Sequence, residues 1–280
     1  MNQSILTSVK ELESCKVEVD PHNSRVKLLE YPKQEVSRLS RDLVEEAEEK
    51  QLGKVIVYAR EQDVEAWKNE GFRLEGTIDG FFNGDSACMM ANFVEKERAL
   101  SEKCDELDRI VKLAEQTKKI EQPPELPAGY ALREAQPEDV PELARLYRQV
   151  FTTYPTPIHH EDDIRRAMED DVYFSVVTHE EWIVSASSAD VFPEYQCAEL
   201  TDCATDPQYR GKGLVSALFS HLEQKLSKMG IGHAFSLTRA ISAGMNIVAA
   251  KHGYRYRGRL VQNCEIAGGF EDMNIWVKAF

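Results

Sequence analysis

The chain is short of positive charge: its 280 residues hold 34 Lys and Arg against 48 Asp and Glu, a formal net charge of −14. Nucleic acids and anionic membranes are bound through dense Lys and Arg, so neither is expected as a partner, whereas cationic ligands suit such a surface. Long hydrophobic runs are missing too. No window reaches about 18 consecutive apolar residues, which argues against a membrane-spanning helix. Met1-Asn2-Gln3-Ser4 leads into Glu11, Glu13 and Lys16 without the apolar core of a signal peptide, so a cytoplasmic location is expected. The six cysteines include no C-x-x-C pair, which leaves reduced thiols as the expectation and no metal site. Two phosphate-binding signatures are absent as well: neither G-x-x-x-x-G-K-[ST] nor G-x-G-x-x-G occurs, which excludes a P-loop kinase and a dinucleotide-dependent dehydrogenase.

Against these absences stand 42% hydrophobic and 9% aromatic residues, enough for a sizeable core and, at this length, for roughly two domains. Residues 1–93 alternate apolar runs with helical stretches and form one region. Residues 94–125 form a connector. In it Leu100, Cys104, Leu107, Val111 and Ala114 recur at helical spacing, predicting one amphipathic helix from Val94 to Ile120, and the prolines of Gln122-Pro123-Pro124-Glu125 then stop it. Residues 126–280 alternate cleanly: strands near Tyr130–Arg133, Val172–Val177, Trp182–Val191, Ala198–Thr205 and Ala234–Leu237, and helices opening at Pro137, Ile158, Gly213 and Ser242. The fold class is α/β, built on a mixed sheet.

The first region echoes the last. An offset of 179 aligns Val36 with Val215, Ser37 with Ser216, Leu39 with Leu218, Leu43 with Leu222, Gly53 with Gly232 and Arg60 with Arg239. After a gap of three residues, Gly71-Phe72-Arg73-Leu74-Glu75-Gly76 meets Gly253-Tyr254-Arg255-Tyr256-Arg257-Gly258. Helix, strand, helix, a Gly-aromatic-Arg turn and strand thus occur twice, the mark of an internal duplication.

Chemistry concentrates in Glu199-Leu200-Thr201-Asp202-Cys203-Ala204-Thr205-Asp206-Pro207-Gln208-Tyr209-Arg210-Gly211-Lys212-Gly213-Leu214. A strand ends at a proline turn, a basic loop with spaced glycines follows, and a helix begins. Gly211 and Gly213 let main-chain N–H groups converge on an anion, and the helix N-terminus adds its partial positive charge, a loop suited to a pyrophosphate. Gln208-x-x-Gly211-x-Gly213, so placed, resembles the acetyl-CoA loop of the GNAT acyltransferase superfamily. The resemblance implies a GNAT fold over 126–280, with a central mixed, splayed sheet flanked by helices, preceded by a smaller degenerate GNAT-like domain. With the tail Gly268-Gly269-Phe270-Glu271-Asp272-Met273-Asn274-Ile275-Trp276, the stretch is further similar to the beta-lysine N-acetyltransferase branch, which implies acetyl transfer from acetyl-CoA to the side-chain amine of a small cationic amino acid. A polyamine, another diamine or a protein lysine remains as alternative acceptor, and a catalytically silent acyl-CoA-binding sensor as the alternative to an enzyme.

The same resemblance implies that Cys203, Ala204 and Thr205 meet the pantetheine arm. It places Gln208, Tyr209, Arg210, Gly211, Lys212, Gly213 and Leu214 around the pyrophosphate, and Asn246 against the CoA arm. An alkylammonium must lose its proton before its nitrogen attacks a thioester, so a carboxylate is needed nearby. Strand alternation puts Glu199, Thr201 and Cys203 on one face and Leu200, Asp202 and Ala204 on the other. Glu199 ranks first as base and Asp202 second. The tyrosine that many relatives use as general acid is Ala249 here, which leaves Tyr254 or Tyr256 as a substitute. Candidate substrate-binding groups are Asp162, Asp163, Glu265, Glu271, Asp272 and Arg133. At the position of the basic loop, the first region carries Tyr31-Pro32-Lys33-Gln34 without glycines, so one acetyl-CoA per chain is expected. Phe72, Phe81, Phe82, Met89 and Met90 are then free for core packing or for a homodimer interface.

Overall fold

The computed structural model of the chain describes residues 8–12, 15–32, 35–151, 154–156 and 158–280. Three strands open it, β1 (Ser8–Leu12), β2 (Cys15–Asp20) and β3 (Arg25–Glu30), followed by α1 (Val36–Glu49), β4 (Lys54–Arg60), α2 (Val64–Asn69), β5 (Arg73–Phe82) and β6 (Asp85–Phe93). A connecting helix α3 (Cys104–Glu115) leads to β7 (Tyr130–Glu134), α4 (Val140–Val150), α5 (Glu161–Glu169), β8 (Val172–His179) and β9 (Trp182–Phe192). The chain ends with β10 (Cys197–Thr205), α6 (Leu214–Lys228), β11 (His233–Arg239), α7 (Ala243–Lys251), β12 (Arg255–Ile266) and β13 (Gly269–Ala279).

Local sequence explains the elements. In α1 Leu39, Leu43 and Ala47 recur every four residues and are buried, and in α6 Leu214, Leu218, Leu222 and Leu226 do the same. β4 reads Lys-Val-Ile-Val-Tyr-Ala-Arg without alternation because helices and sheet cover both its faces.

All the strands join one sheet, in the order β1-β2-β3-β4-β6-β5-β12-β13-β11-β10-β9-β8-β7. From the centre outward both arms have the same plan. Each begins with an antiparallel hairpin (β5–β6, β12–β13) and adds an antiparallel strand (β4, β11) that pairs parallel with the next (β3, β10); two antiparallel strands follow (β2 and β1, β9 and β8). The helices α1 and α2 lie in chain order where α6 and α7 lie, and β7 is an extra edge strand of the second arm. The arms meet antiparallel at a single pair, Gly76 opposite Gly258. A Cβ on Gly258 would fall 2.3 Å from Glu75 O, and one on Gly76 2.7 Å from Arg257 O, so the close backbone approach requires glycine at both positions.

The arms also touch away from that joint. Phe81 packs on Phe192 and Phe235, with ring centroids 5.5 and 5.9 Å apart. Lys54 Nζ donates to Glu75 (2.7 Å) and to Val261 O (2.8 Å) inside the protein. Asn23 donates to Pro155 O (3.2 Å), and the Tyr195 hydroxyl donates to Glu30. The first arm therefore returns over the second, and Phe72, Phe81, Phe82, Met89 and Met90 are all buried.

The connector departs from its sequence pattern. Its helix runs only Cys104–Glu115, preceded by a short 3-10 turn at Lys96–Ala99. Arg98 is the cause: its buried guanidinium donates to Ser24 O, Asn23 O and Gln262 O, which holds the chain against the sheet and leaves Leu100 67% exposed. Leu107, Val111 and Ala114 do form the buried face.

Candidate active site

β10 and β11 pair only over Cys197–Glu199 and His233–Phe235, although β10 continues to Thr205 and β11 to Arg239. Beyond Glu199 the two strands diverge. A cavity of about 1110 Å³ opens in the gap, lined by Thr201, Cys203 and Thr205 on one side and by Ser236, Thr238 and Arg239 on the other.

At one end lies the glycine-spaced loop. Gly211 (φ +78) and Gly213 (φ +74) adopt the left-handed conformation, and a Cβ added at either would meet no atom within 4 Å. The open space beside them is thus available to a ligand rather than filled by protein. Gly213 caps α6, whose first-turn N–H groups point toward the same end. Tyr209, Arg210, Lys212 and Leu214 line the cavity there. Asp206 stabilises the turn by accepting from Gln208 N (3.0 Å) and from Gln149 Nε2 (2.9 Å).

At the other end carboxylates gather. Glu199 stands directly across the β9–β10 ladder from Asp190. The register then slips between Thr201 and Ala204, where Asp202 takes a left-handed φ of +51. This bulge overturns the simple alternation expected for the strand. Ser188, the cross-strand partner of Thr201, donates to Asp202 at 2.7 Å, so Asp202 joins the face of Thr201 and Glu199. Cys203 turns to the other face, 3.1 Å from Ser187 Oγ. Thr156 also reaches Asp202 (3.4 Å), which brings the loop after α4 over the bulge.

Crowding three acids away from water shifts their titration. Burial, then Asp190 and Asp202, push Glu199 up to about 8. Burial and Asp202 raise Asp190 to about 6, and burial raises Asp202 despite its hydrogen bonds. Burial pushes the Cys203 thiol up to about 12, so it stays protonated near neutrality and is a poor nucleophile.

Ala204, Gln208, Asn246, Tyr254 and Tyr256, singled out in the sequence as donor-binding or catalytic, do not line the cavity. Ala204 on β10 is buried in the core beneath α4 and α5, and Gln208 is exposed beside the loop with its main chain tied to Asp206. Asn246 is fully buried and fully engaged: Thr238, Asn274 and Trp276 donate to its Oδ1, while its Nδ2 donates to Arg239 O and Ser242 O. It ties α7 to the sheet instead of facing a ligand. Tyr254 is 3% exposed, packed against Phe219 in the core beneath α6 and α7, and does not line the cavity. Of the candidate substrate groups, Arg133 is held by Asp139, Glu271 by Arg239, and Asp272 by Gln262 N; Asp163 does line the cavity. The sequence gives no sign of Asp190 on β9 or of the four polar residues of the first arm that line the cavity, Glu18, Arg25, Lys27 and Tyr58.

Comparison with known proteins places this architecture. The Acetyltransferase (GNAT) family profile matches residues 140–254. Over 259 residues, 92% of this chain and 94% of the relative, the chain is 36% identical to the N-acetyltransferase YodP of Bacillus subtilis. The chain belongs to the GNAT acetyltransferase family. As a member it is an N-acetyltransferase, and the acyl donor of the family is acetyl-CoA. It is also 35% identical to a beta-lysine N(6)-acetyltransferase of Methanosarcina mazei, over 81% of this chain and 91% of that one. Among solved structures, the ribosomal-protein-S18-alanine N-acetyltransferase of Escherichia coli aligns with a TM-score of 0.47 at 19% identity, covering 54% of this chain and 93% of its own. No helix of the described residues is long and apolar enough to cross a membrane.

Proposed function

We propose that the protein transfers the acetyl group of acetyl-CoA to the side-chain amine of β-lysine, giving N6-acetyl-β-lysine. The observation behind this acceptor is the set of three carboxylates, Glu199, Asp190 and Asp202, at the mouth of the strand gap, a site that favours a cation beside the thioester. The names of two GNAT relatives point the same way.

In this reading the loop from Tyr209 to Leu214 takes the pyrophosphate, and the main chain of β10 beyond Glu199 takes the pantetheine arm. Glu199 accepts the proton of the ammonium, directly or through a water. Its raised pKa of about 8 suits a base that must take a proton from an amine near 10.4 and release it again near neutrality. The freed nitrogen lone pair attacks the thioester carbonyl, the C–N bond forms, and the C–S bond breaks with its electron pair on sulfur. A thiolate with a pKa near 8.5 leaves without a dedicated acid, so the absence of a tyrosine from the cavity at the Ala249 position carries little cost.

We further propose that the first arm is a degenerate GNAT copy that no longer binds CoA. Tyr31 supports this: its hydroxyl accepts from Arg60 N (3.2 Å) and Trp67 Nε1 (3.2 Å) and donates to Asp63 (3.0 Å), which fills the end of β4 where β11 leaves a gap. Lys33 and Gln34, at the position of the glycine loop, lie outside the described residues. Thiol release measured over β-lysine, lysine, ornithine, diamines and lysine peptides tests the acceptor, and equal rates throughout would refute it. Calorimetry is expected to give one acetyl-CoA per chain; two equivalent sites would refute the silent copy.

A further inference from the structure

The cavity has two walls, one from each arm, and the repeated plan puts equivalent positions opposite one another. On the second arm Glu199 pairs across the ladder with Asp190 and lies beside Phe235 of the parallel strand. On the first arm Lys27 pairs across the ladder with Glu18 and lies beside Ile56 of the parallel strand. Lys27 is thus the counterpart of Glu199, and Glu18 that of Asp190. All four side chains line the same cavity.

Their charges differ in a telling way. The second-arm pair, Glu199 and Asp190, is wholly acidic, whereas the first-arm pair carries one cation and one anion, joined at 2.7 Å. Arg25 and Arg239, the other cations at this depth, are already held by Asp20 (2.8 Å) and Glu271 (2.7 Å). Asn263 of β12 lines the same cavity and is 1% exposed, and its Oδ1 is buried with no hydrogen-bond partner. An orphaned buried acceptor that borders a cavity calls for a donor from whatever fills the cavity.

We propose that the Glu18–Lys27 pair clamps the amino-acid end of the acceptor: Lys27 holds its carboxylate, Glu18 and Asn263 Oδ1 hold its second ammonium, and the far amine is left against Glu199. The inference rests on the diamino-acid acceptor proposed above and assigns its binding residues. An ion pair that opens onto a zwitterion exchanges one balanced pair of charges for another, so no net charge is buried at this wall. The acidic wall has no such balance and takes the end of the substrate that must lose a proton.

Three acceptors separate the roles: β-lysine, 6-aminohexanoate, which lacks the second amine, and 1,4-diaminopentane, which lacks the carboxylate. In thiol-release assays Lys27→Met should lower kcat/KM for both carboxylate-bearing acceptors by about tenfold to a hundredfold, mostly through KM, and spare 1,4-diaminopentane. Lys27→Arg should restore most of the loss. Glu18→Gln should do the converse, lowering β-lysine and 1,4-diaminopentane and sparing 6-aminohexanoate. Acetyl-CoA affinity, measured by calorimetry, serves as the check of folding, with Lys27→Gln replacing any Met variant that fails it. Equal losses on all three acceptors, or none, would overturn the clamp, as would wild-type enzyme that uses 1,4-diaminopentane as well as β-lysine. A wild-type preference for another diamino acid, with these differentials intact, would refute β-lysine as acceptor and leave the clamp standing.

Discussion

After β10 the chain turns through Gly211 and Gly213 into α6, and the gap between β10 and β11 stays open. After β3 it turns through Tyr31 and Pro32 toward α1, and Tyr31 with the buried Trp67 occupies the corresponding place at β4. Strand order and pairing direction are the same in both arms. With the donor loop placed as proposed, the contrast teaches that the scaffold alone would not make a donor site. What distinguishes the arms is a pair of glycines able to take positive φ and the lack of an aromatic plug, while the first arm keeps its charged residues facing the shared cavity.

The largest effect expected from breaking this contrast is at Glu199, the residue whose counterpart is a lysine. Glu199→Gln should lower kcat by about a hundredfold near pH 7, in the range usual for loss of a general base, and by less at high pH where the amine is already free. Wild-type activity should rise with pH toward about 8 as Glu199 loses its proton. A variant profile parallel to wild type would remove Glu199 as base.

Next comes the loop. Gly211→Val should weaken acetyl-CoA binding by at least about tenfold, because a branched side chain disfavours the φ of +78 and enters the space left open for the anion. An unchanged dissociation constant in calorimetry, with the fold intact, would show that the loop does not hold the donor. Gly258→Ala tests the joint between the arms in the opposite sense, since there the space is already taken by Glu75 O and Gly76 Cα. It should cost about 1–3 kcal/mol of stability, seen as a Tm lower by several degrees, with acetyl-CoA affinity retained. An unaltered Tm would mean that the arms do not need this close approach.

Much of this was legible in the sequence where the signal is local. Leucines at intervals of four mark α6, spaced glycines mark the positive-φ turn that leads into it, and the repeat aligns Gly76 with Gly258, the two residues that meet at the joint. Other features depend on partners far along the chain. The bulge at Asp202 follows from how β10 pairs with β9, so alternation counted along one strand assigned Asp202 and Cys203 to the wrong faces. Asn246 and Tyr254 look like site residues in the sequence because nothing in a helix or strand pattern says which neighbours will cover them. Lys27 and Glu18 look like the solvated face of an ordinary alternating hairpin, and only the return of the first arm over the second puts them in the cavity. The connector helix stopped short because a buried arginine outranked its apolar spacing.

The smallest effect expected concerns stability, and its sign follows from the acidic wall. The carboxyl group of Glu199 titrates near 4.5 in the unfolded chain and at about 8 in the folded one. Between these values the folded state holds the proton more tightly, so stability falls as pH rises from about 4.5 to about 8 and then levels off. Glutamine cannot titrate and is spared that loss. The ligand-free Glu199→Gln variant should therefore match wild type near pH 5 and melt a few degrees higher at pH 8 to 9, even though its activity is the lower. Saturating acceptor should narrow the difference, since an ammonium against Glu199 stabilises the charged carboxylate that burial opposes. Thermal unfolding of both proteins from pH 5 to 9 gives the answer: melting curves that stay parallel across the window would mean that Glu199 is not held in a proton-retaining site, and the acidic wall would then be no more strained than its ion-paired counterpart at Glu18 and Lys27.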